Sequence, residues 1–208
     1  MSRRVRERAA GYVPTGYAGP PVPIDGRSFA YVFPCAWEDH SKIGFSSDPL
    51  ARIASLHRRW FEFFDLEGGA LVEAESVRDA RDLELELRKG LGDWNAPAPM
   101  SVQVPAGGHT EWFRGASALL ATRLRQLGAR GYRVHPLHGW LRTALEQRAD
   151  HLHEWTLAQL PVDELDGLYP PGPAAQRVRD ALDACTALGI ALQCRLAPVV
   201  WDWYAGRE

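Results

Sequence analysis

The stretch from Tyr31 to Arg52, YVFPCAWEDHSKIGFSSDPLAR, constrains the fold more than any other part of the chain. An apolar run from Phe29 to Phe33 leads into a polar turn holding Glu38, Asp39, His40 and Ser41. A second short run, Lys42-Ile43-Gly44-Phe45, then meets Ser47-Asp48-Pro49. Runs of this length on either side of a polar turn predict a β-hairpin. An Asp followed by Pro predicts a helix start, because the carboxylate can cap the first turn and proline already has a helical φ.

Downstream, Leu50, Ile53, Trp60, Phe61 and Phe64 recur at helical spacing, which predicts one helix continuing to the Gly68-Gly69 break. Ala70 to Ala74 reads as a third strand. Ser76 with Asp79 reads as the capped start of a second helix reaching about Leu91, with Ala80, Leu83, Leu87 and Leu91 as its buried stripe. A Pro/Gly-rich loop from Asn95 to Gly108 precedes a short aromatic strand, Glu111-Trp112-Phe113. The rest reads as helices: Ser117 to Leu127, Leu137 to Leu160, and Ala174 to Leu188, with a last apolar segment ending at Tyr204. The reading is therefore α+β: a small antiparallel or mixed sheet flanked by helices, then an all-α C-terminal domain. The expected divisions are a flexible arm at 1–27, rich in Gly, Pro and Arg, an α+β domain at 28–116 and a helical domain at 117–208.

The net charge of −2 is spread evenly along the chain, so it lacks the basic excess of a non-specific duplex binder. Any contact with nucleic acid has to rest on a local patch. Three widely spaced cysteines (Cys35, Cys185, Cys194) make neither a zinc pattern nor a disulfide framework, and no apolar run is long enough for a membrane span. The expectation is a chain with reduced thiols in the cytoplasm.

The order Tyr31, then Lys42-Ile43-Gly44 eleven positions on, then Arg52, resembles the opening of the GIY-YIG nuclease superfamily. Lys42 stands where the name-giving motif has Tyr. With the late Glu111-Trp112-Phe113, the chain looks like a phage-type branch whose members are associated with DNA binding. The resemblance implies a metal-dependent endonuclease acting on nucleic acid, with DNA as the expected substrate. Tyr31, Lys42, Arg52 and Glu84 would be catalytic, and Glu84 would hold one Mg2+ or Mn2+. Two alternatives stay open: a non-catalytic nucleic-acid-binding module, and an interaction protein that meets a protein partner through its helical C-terminal half.

The residues can be weighed physically. On a helical wheel Arg52 lies about 130° from its apolar stripe, Glu84 about 55° and Glu86 about 105°. This frees Arg52 for a ligand, puts Glu84 at the boundary of the buried face and leaves Glu86 solvated. Tyr31 is also an ordinary strand core residue, and its phenol serves as a base only if nearby cations lower its pKa. Arg58, Arg59 and Arg88 are candidate phosphate contacts, although charge on a solvated helix face is the commoner explanation. His57 reads as a core histidine, and His40 and His109 lie near the motifs. Trp201 and Trp203 read as core or, if exposed, as a partner surface.

Overall fold

The hairpin expected around Tyr31 and Lys42 forms the centre of a larger sheet. A computed structural model describes residues 26–103, 110–167 and 170–206. The chain divides into two units, Met1–Trp140 and Leu141–Glu208. In the first, β1 (Ser28–Pro34), β2 (His40–Ser46), β3 (Ala70–Ala74), β4 (Asn95–Ala96), β5 (Trp112–Arg114) and β6 (Val134–Pro136) form one sheet in the order β4-β5-β2-β1-β3-β6. Every pairing is antiparallel. The arm expected at 1–27 lies almost wholly outside the described residues, as does His109.

Strand register sorts the side chains. Tyr31 pairs with Gly44 and Phe33 with Lys42, so these four share one face, since directly opposed residues point the same way. Ala30, Val32 and Ile43 point to the other face. There they cluster with Val72, Phe113, and Leu83 and Leu87 of α3 (Val77–Arg88), together with Leu120 and Leu127 of α4 (Ser117–Ala129). Each of these fully buried leucines contributes about 1.5–3 kcal/mol of apolar burial. The Tyr31 face is aromatic instead. Tyr31 stacks on Phe33 at 4.1 Å, and Phe64 bridges Phe33 and Trp112 at 5.7 and 6.4 Å.

Local signals set the helix ends. Asp48 accepts a hydrogen bond from the Ala51 backbone N–H at 2.9 Å and Pro49 opens α1 (Pro49–Leu56). Ser76 caps α3 by accepting from the Asp79 backbone N–H at 3.1 Å. Helix α3 stops at Arg88, short of Leu91, because Gly90 takes a positive φ of 70°.

Two long helices expected from periodicity are broken. The first is α1 followed by α2 (Trp60–Phe63), because His57 is extended and its Nδ1 accepts from the Arg59 backbone N–H. His57 is half-buried and stacks on Phe63 at 4.4 Å. The second is α5 (Leu137–Arg148), a short 3-10 turn and α6 (Leu152–Gln159). The helical part also begins later than expected. Residues 117–136 belong to the first unit, where α4 covers the core and β6, a strand the sequence pattern does not announce, pairs with β3.

The second unit, described by itself, holds α6, α7 (Val162–Leu165), α8 (Pro173–Ala187) and α9 (Pro198–Ala205). Val178, Leu182, Cys185, Val200 and Trp203 form its core, and Arg179 lies over the Trp203 ring at 4.8 Å. Trp203 is buried and Trp201 packs against the same core, so the pair is not an exposed surface.

Candidate active site at the rim of the sheet

The site begins with a missing side chain. A Cβ on Gly44 would lie 2.3 Å from Tyr31 Oη and 2.5 Å from its Cζ, so only glycine lets the phenol lie flat across β2. The ring itself is buried, 1% exposed, and its hydroxyl reaches the side of α1, where Arg52 Nε donates to Oη at 3.0 Å. Burial lifts the phenol above its usual pKa of 10.0, and the charge and hydrogen bond of Arg52 only partly oppose this. Arg52 pulls the value down, as a base would need, but by less than burial raises it, so Tyr31 is a protonated hydroxyl at neutral pH. Its oxygen accepts from Arg52 and still has its proton to donate.

Lys42, one strand over, is also 1% exposed. Its ammonium donates to Glu111 Oε2 at 2.7 Å and to the Ile43 carbonyl at 3.1 Å. Glu111 stands just before β5, where its backbone carbonyl accepts from the Ile43 N–H, and the Thr110 hydroxyl donates to its Oε1. Burial pushes the ammonium below its usual value, against the pull of Glu111. Burial pushes the Glu111 carboxyl up, but the Lys42 hydrogen bond and charge, with Thr110 and Arg88, carry it below the usual carboxylate range. The lysine is the more deeply buried partner and loses more hydration, which is why the pair shifts both groups downward.

Glu84 is 5% exposed, not at the boundary of the helix face, and its Oε1 accepts from Arg88 one turn on at 2.7 Å. Its helix packs on the Ala30/Val32/Ile43 face, opposite the Tyr31 ring. Glu84 therefore comes from the far side of the sheet, whereas Tyr31 and Lys42 share the near face. Lys42 and Glu111 meet where β2 runs past β5. The Glu84 charge acts on both the Tyr31 hydroxyl and the Lys42 ammonium.

Of the residues singled out in the sequence, Arg52 is thus paired with Tyr31, Lys42 with Glu111 and Arg88 with Glu84, and the Glu84 charge reaches Tyr31 and Lys42. Glu111 was legible only as part of a motif, not as a site residue. The other candidates lie elsewhere. Arg58 and Arg59 stand between α1 and α2, with Arg59 gripping Glu62 through two bonds and lying over Phe61. His40 pairs with Glu38 at 3.2 Å. Asn95 donates to the Thr110 and Trp112 carbonyls, holding β4 against β5. Among the described residues no group of three or more His, Cys, Asp and Glu side chains converges as a metal cage, and no helix is long and apolar enough to cross a membrane.

A family model described as the T5orf172 domain, a phage-associated domain of the GIY-YIG/HNH-like endonuclease type, matches residues 28–133. No curated protein and no solved structure is similar enough to the chain to match it.

Proposed function

The chain belongs to the T5orf172 domain family, and on that premise we propose that it is a metal-dependent endonuclease hydrolysing phosphodiester bonds in DNA. The observation that supports this reading is three close pairs whose charges act on one another: Arg52 with the Tyr31 hydroxyl, buried Lys42 with Glu111, and Arg88 with Glu84. Phosphodiester hydrolysis needs cations where charge develops on the phosphate and a group to orient the water. Arg52 and Lys42 suit the first role. Tyr31 suits the second, because its hydroxyl, held by Arg52, offers a hydrogen and a remaining lone pair to a water molecule.

The donor set fits a magnesium or manganese ion shared with substrate. Such ions are commonly held by one or two carboxylates, with water and phosphate oxygens completing the shell. Glu84 is the carboxylate that would hold it. A bound divalent ion would supply positive charge to the phosphate and acidify its own water.

The test is nicking of supercoiled plasmid in Mg2+ or Mn2+. The wild-type chain should nick, and Glu84→Ala and Tyr31→Phe should each lose nearly all of that activity while remaining folded. Lys42→Ala should lose less, because a phosphate cation assists without orienting the nucleophile. Cleavage surviving both Glu84→Ala and Tyr31→Phe rejects the assignment. A second reading, a binding module without catalysis, is favoured by the engagement of both carboxylates with cations. It is distinguished by a chain that binds DNA, loses affinity on Arg52→Ala, is indifferent to Tyr31→Phe and never nicks.

A further inference from the structure

The charges at the rim alternate. Lys42 touches Glu111 at 2.7 Å and Arg88 touches Glu84 at 2.7 Å. Across the two pairs, Arg88 acts on Glu111 and Glu84 acts on Lys42. The two contact pairs are thus coupled through their charges into an electrostatic ring of plus, minus, plus, minus, whose two carboxylates also act on the Tyr31 hydroxyl. Two of its members, Lys42 and Glu84, are almost wholly buried, so each loses stability if left without a partner unless another polar or charged group takes that place.

We propose that Glu111 is a second carboxylate of the site, masked at rest by Lys42, and that cation and phosphate bind together by exchanging partners with this ring. The inference rests on the phosphodiester reading above. A divalent cation arriving alone has to pull Glu84 from Arg88 and Glu111 from Lys42, stranding two cations. A phosphate arriving alone has to pull Lys42 and Arg88 from their carboxylates, stranding two anions. Arriving together they restore every pairing, with the ammonium and guanidinium on the phosphate and the carboxylates on the cation. Each ligand therefore strengthens the other, and linkage makes the enhancement reciprocal.

The exchange predicts opposite effects on the two ligands, which a purely structural role for these residues does not. Glu111→Gln keeps an acceptor for Lys42 but removes the competing charge. It should tighten binding of a labelled single-stranded oligodeoxynucleotide in EDTA, and should weaken Mn2+ binding read by electron paramagnetic resonance, each by about tenfold. Arg88→Gln should do the reverse, tightening Mn2+ and weakening the oligonucleotide. For the wild type, dimethyl phosphate should raise Mn2+ affinity by a similar factor. Circular dichroism melts establish that the variants are folded, and Thr110→Val serves as a control that leaves the ring charges intact.

If Glu111→Gln weakens both ligands or changes neither, or if dimethyl phosphate leaves Mn2+ affinity unchanged, the exchange is wrong. Loss of Mn2+ binding in Glu84→Ala alongside an indifferent Glu111→Gln would keep the phosphodiester reading and reject only the role of Glu111. A wild-type chain that binds neither Mn2+ nor oligonucleotide would overturn both.

Discussion

Replacing Gly44 with alanine tests the geometry of the site most directly. The added carbon would sit 2.3 Å from Oη, 2.5 Å from Cζ and 3.1 Å from Cε2 of Tyr31. The contact is with a packed ring, not the tip of a mobile chain. Tyr31 is stacked on Phe33 with planes 8° apart and tied to Arg52 at 3.0 Å. The ring has to leave or the strand has to bow. Leaving forfeits a charge-assisted hydrogen bond, about 1.5–3 kcal/mol, and a stacked pair, about 0.5–1.5 kcal/mol. Staying incurs an overpacking cost of about 1–3 kcal/mol. The cheaper route sets the expected destabilisation at about 1–3 kcal/mol by urea unfolding. The same substitution on a Tyr31→Ala background should cost almost nothing, because the clashing ring is gone, so the double-mutant cycle should show a coupling of about 2 kcal/mol. Additive effects, or a Gly44→Ala protein as stable as wild type, would refute the close approach of Tyr31 to β2.

Three further outcomes follow from the same structure. The folded Glu111 carboxyl titrates below its ordinary value of 4.5, so its contribution to stability is complete above that pH and is lost as pH falls through the lower folded value. Acid unfolding of Glu111→Gln should accordingly be flatter than that of wild type below pH 4.5. Burial pushes the Cys35 and Cys185 thiols up to about 12, whereas Cys194 is exposed. One thiol should therefore react quickly with Ellman's reagent in the native protein, and a Cys194→Ser protein should react only on unfolding. Three cations at the rim, Lys42, Arg52 and Arg88, give an expected log–log salt slope for DNA binding of about −2 to −3. Arg59→Ala should leave that slope unchanged, because its guanidinium is held by Glu62.

The parts of this architecture that were legible in the sequence are those set by neighbouring residues. The β1–β2 hairpin follows from two short runs and a turn, and the Asp48 and Ser76 caps act within three residues. Helical spacing misled where it outlasted the helix. Ile53, Trp60 and Phe64 keep their periodicity across the extended His57, so the break between α1 and α2 leaves no trace in the pattern. The wheel gave the direction of Glu84 but not its depth, which follows from the packing of α3 on the sheet and the company of Arg88. Glu111 was hidden for a different reason. Its role depends on Lys42, 69 residues away, and no local pattern reports a partner at that distance.

The two outer strands of the sheet have a consequence for how the molecule behaves among its own copies. β4 is two residues long, and β6 is three residues ending in Pro136, which has no N–H to offer. The long strands β1 and β2 are enclosed between neighbours, so neither border offers another chain a ladder to extend. A fragment ending at residue 116 would lose β6 and expose β3 as a bare edge, together with the apolar face that α4 covers. A fragment carried through Trp140 keeps both the border strand and its cover, and is the one to express when the sheet unit is wanted alone.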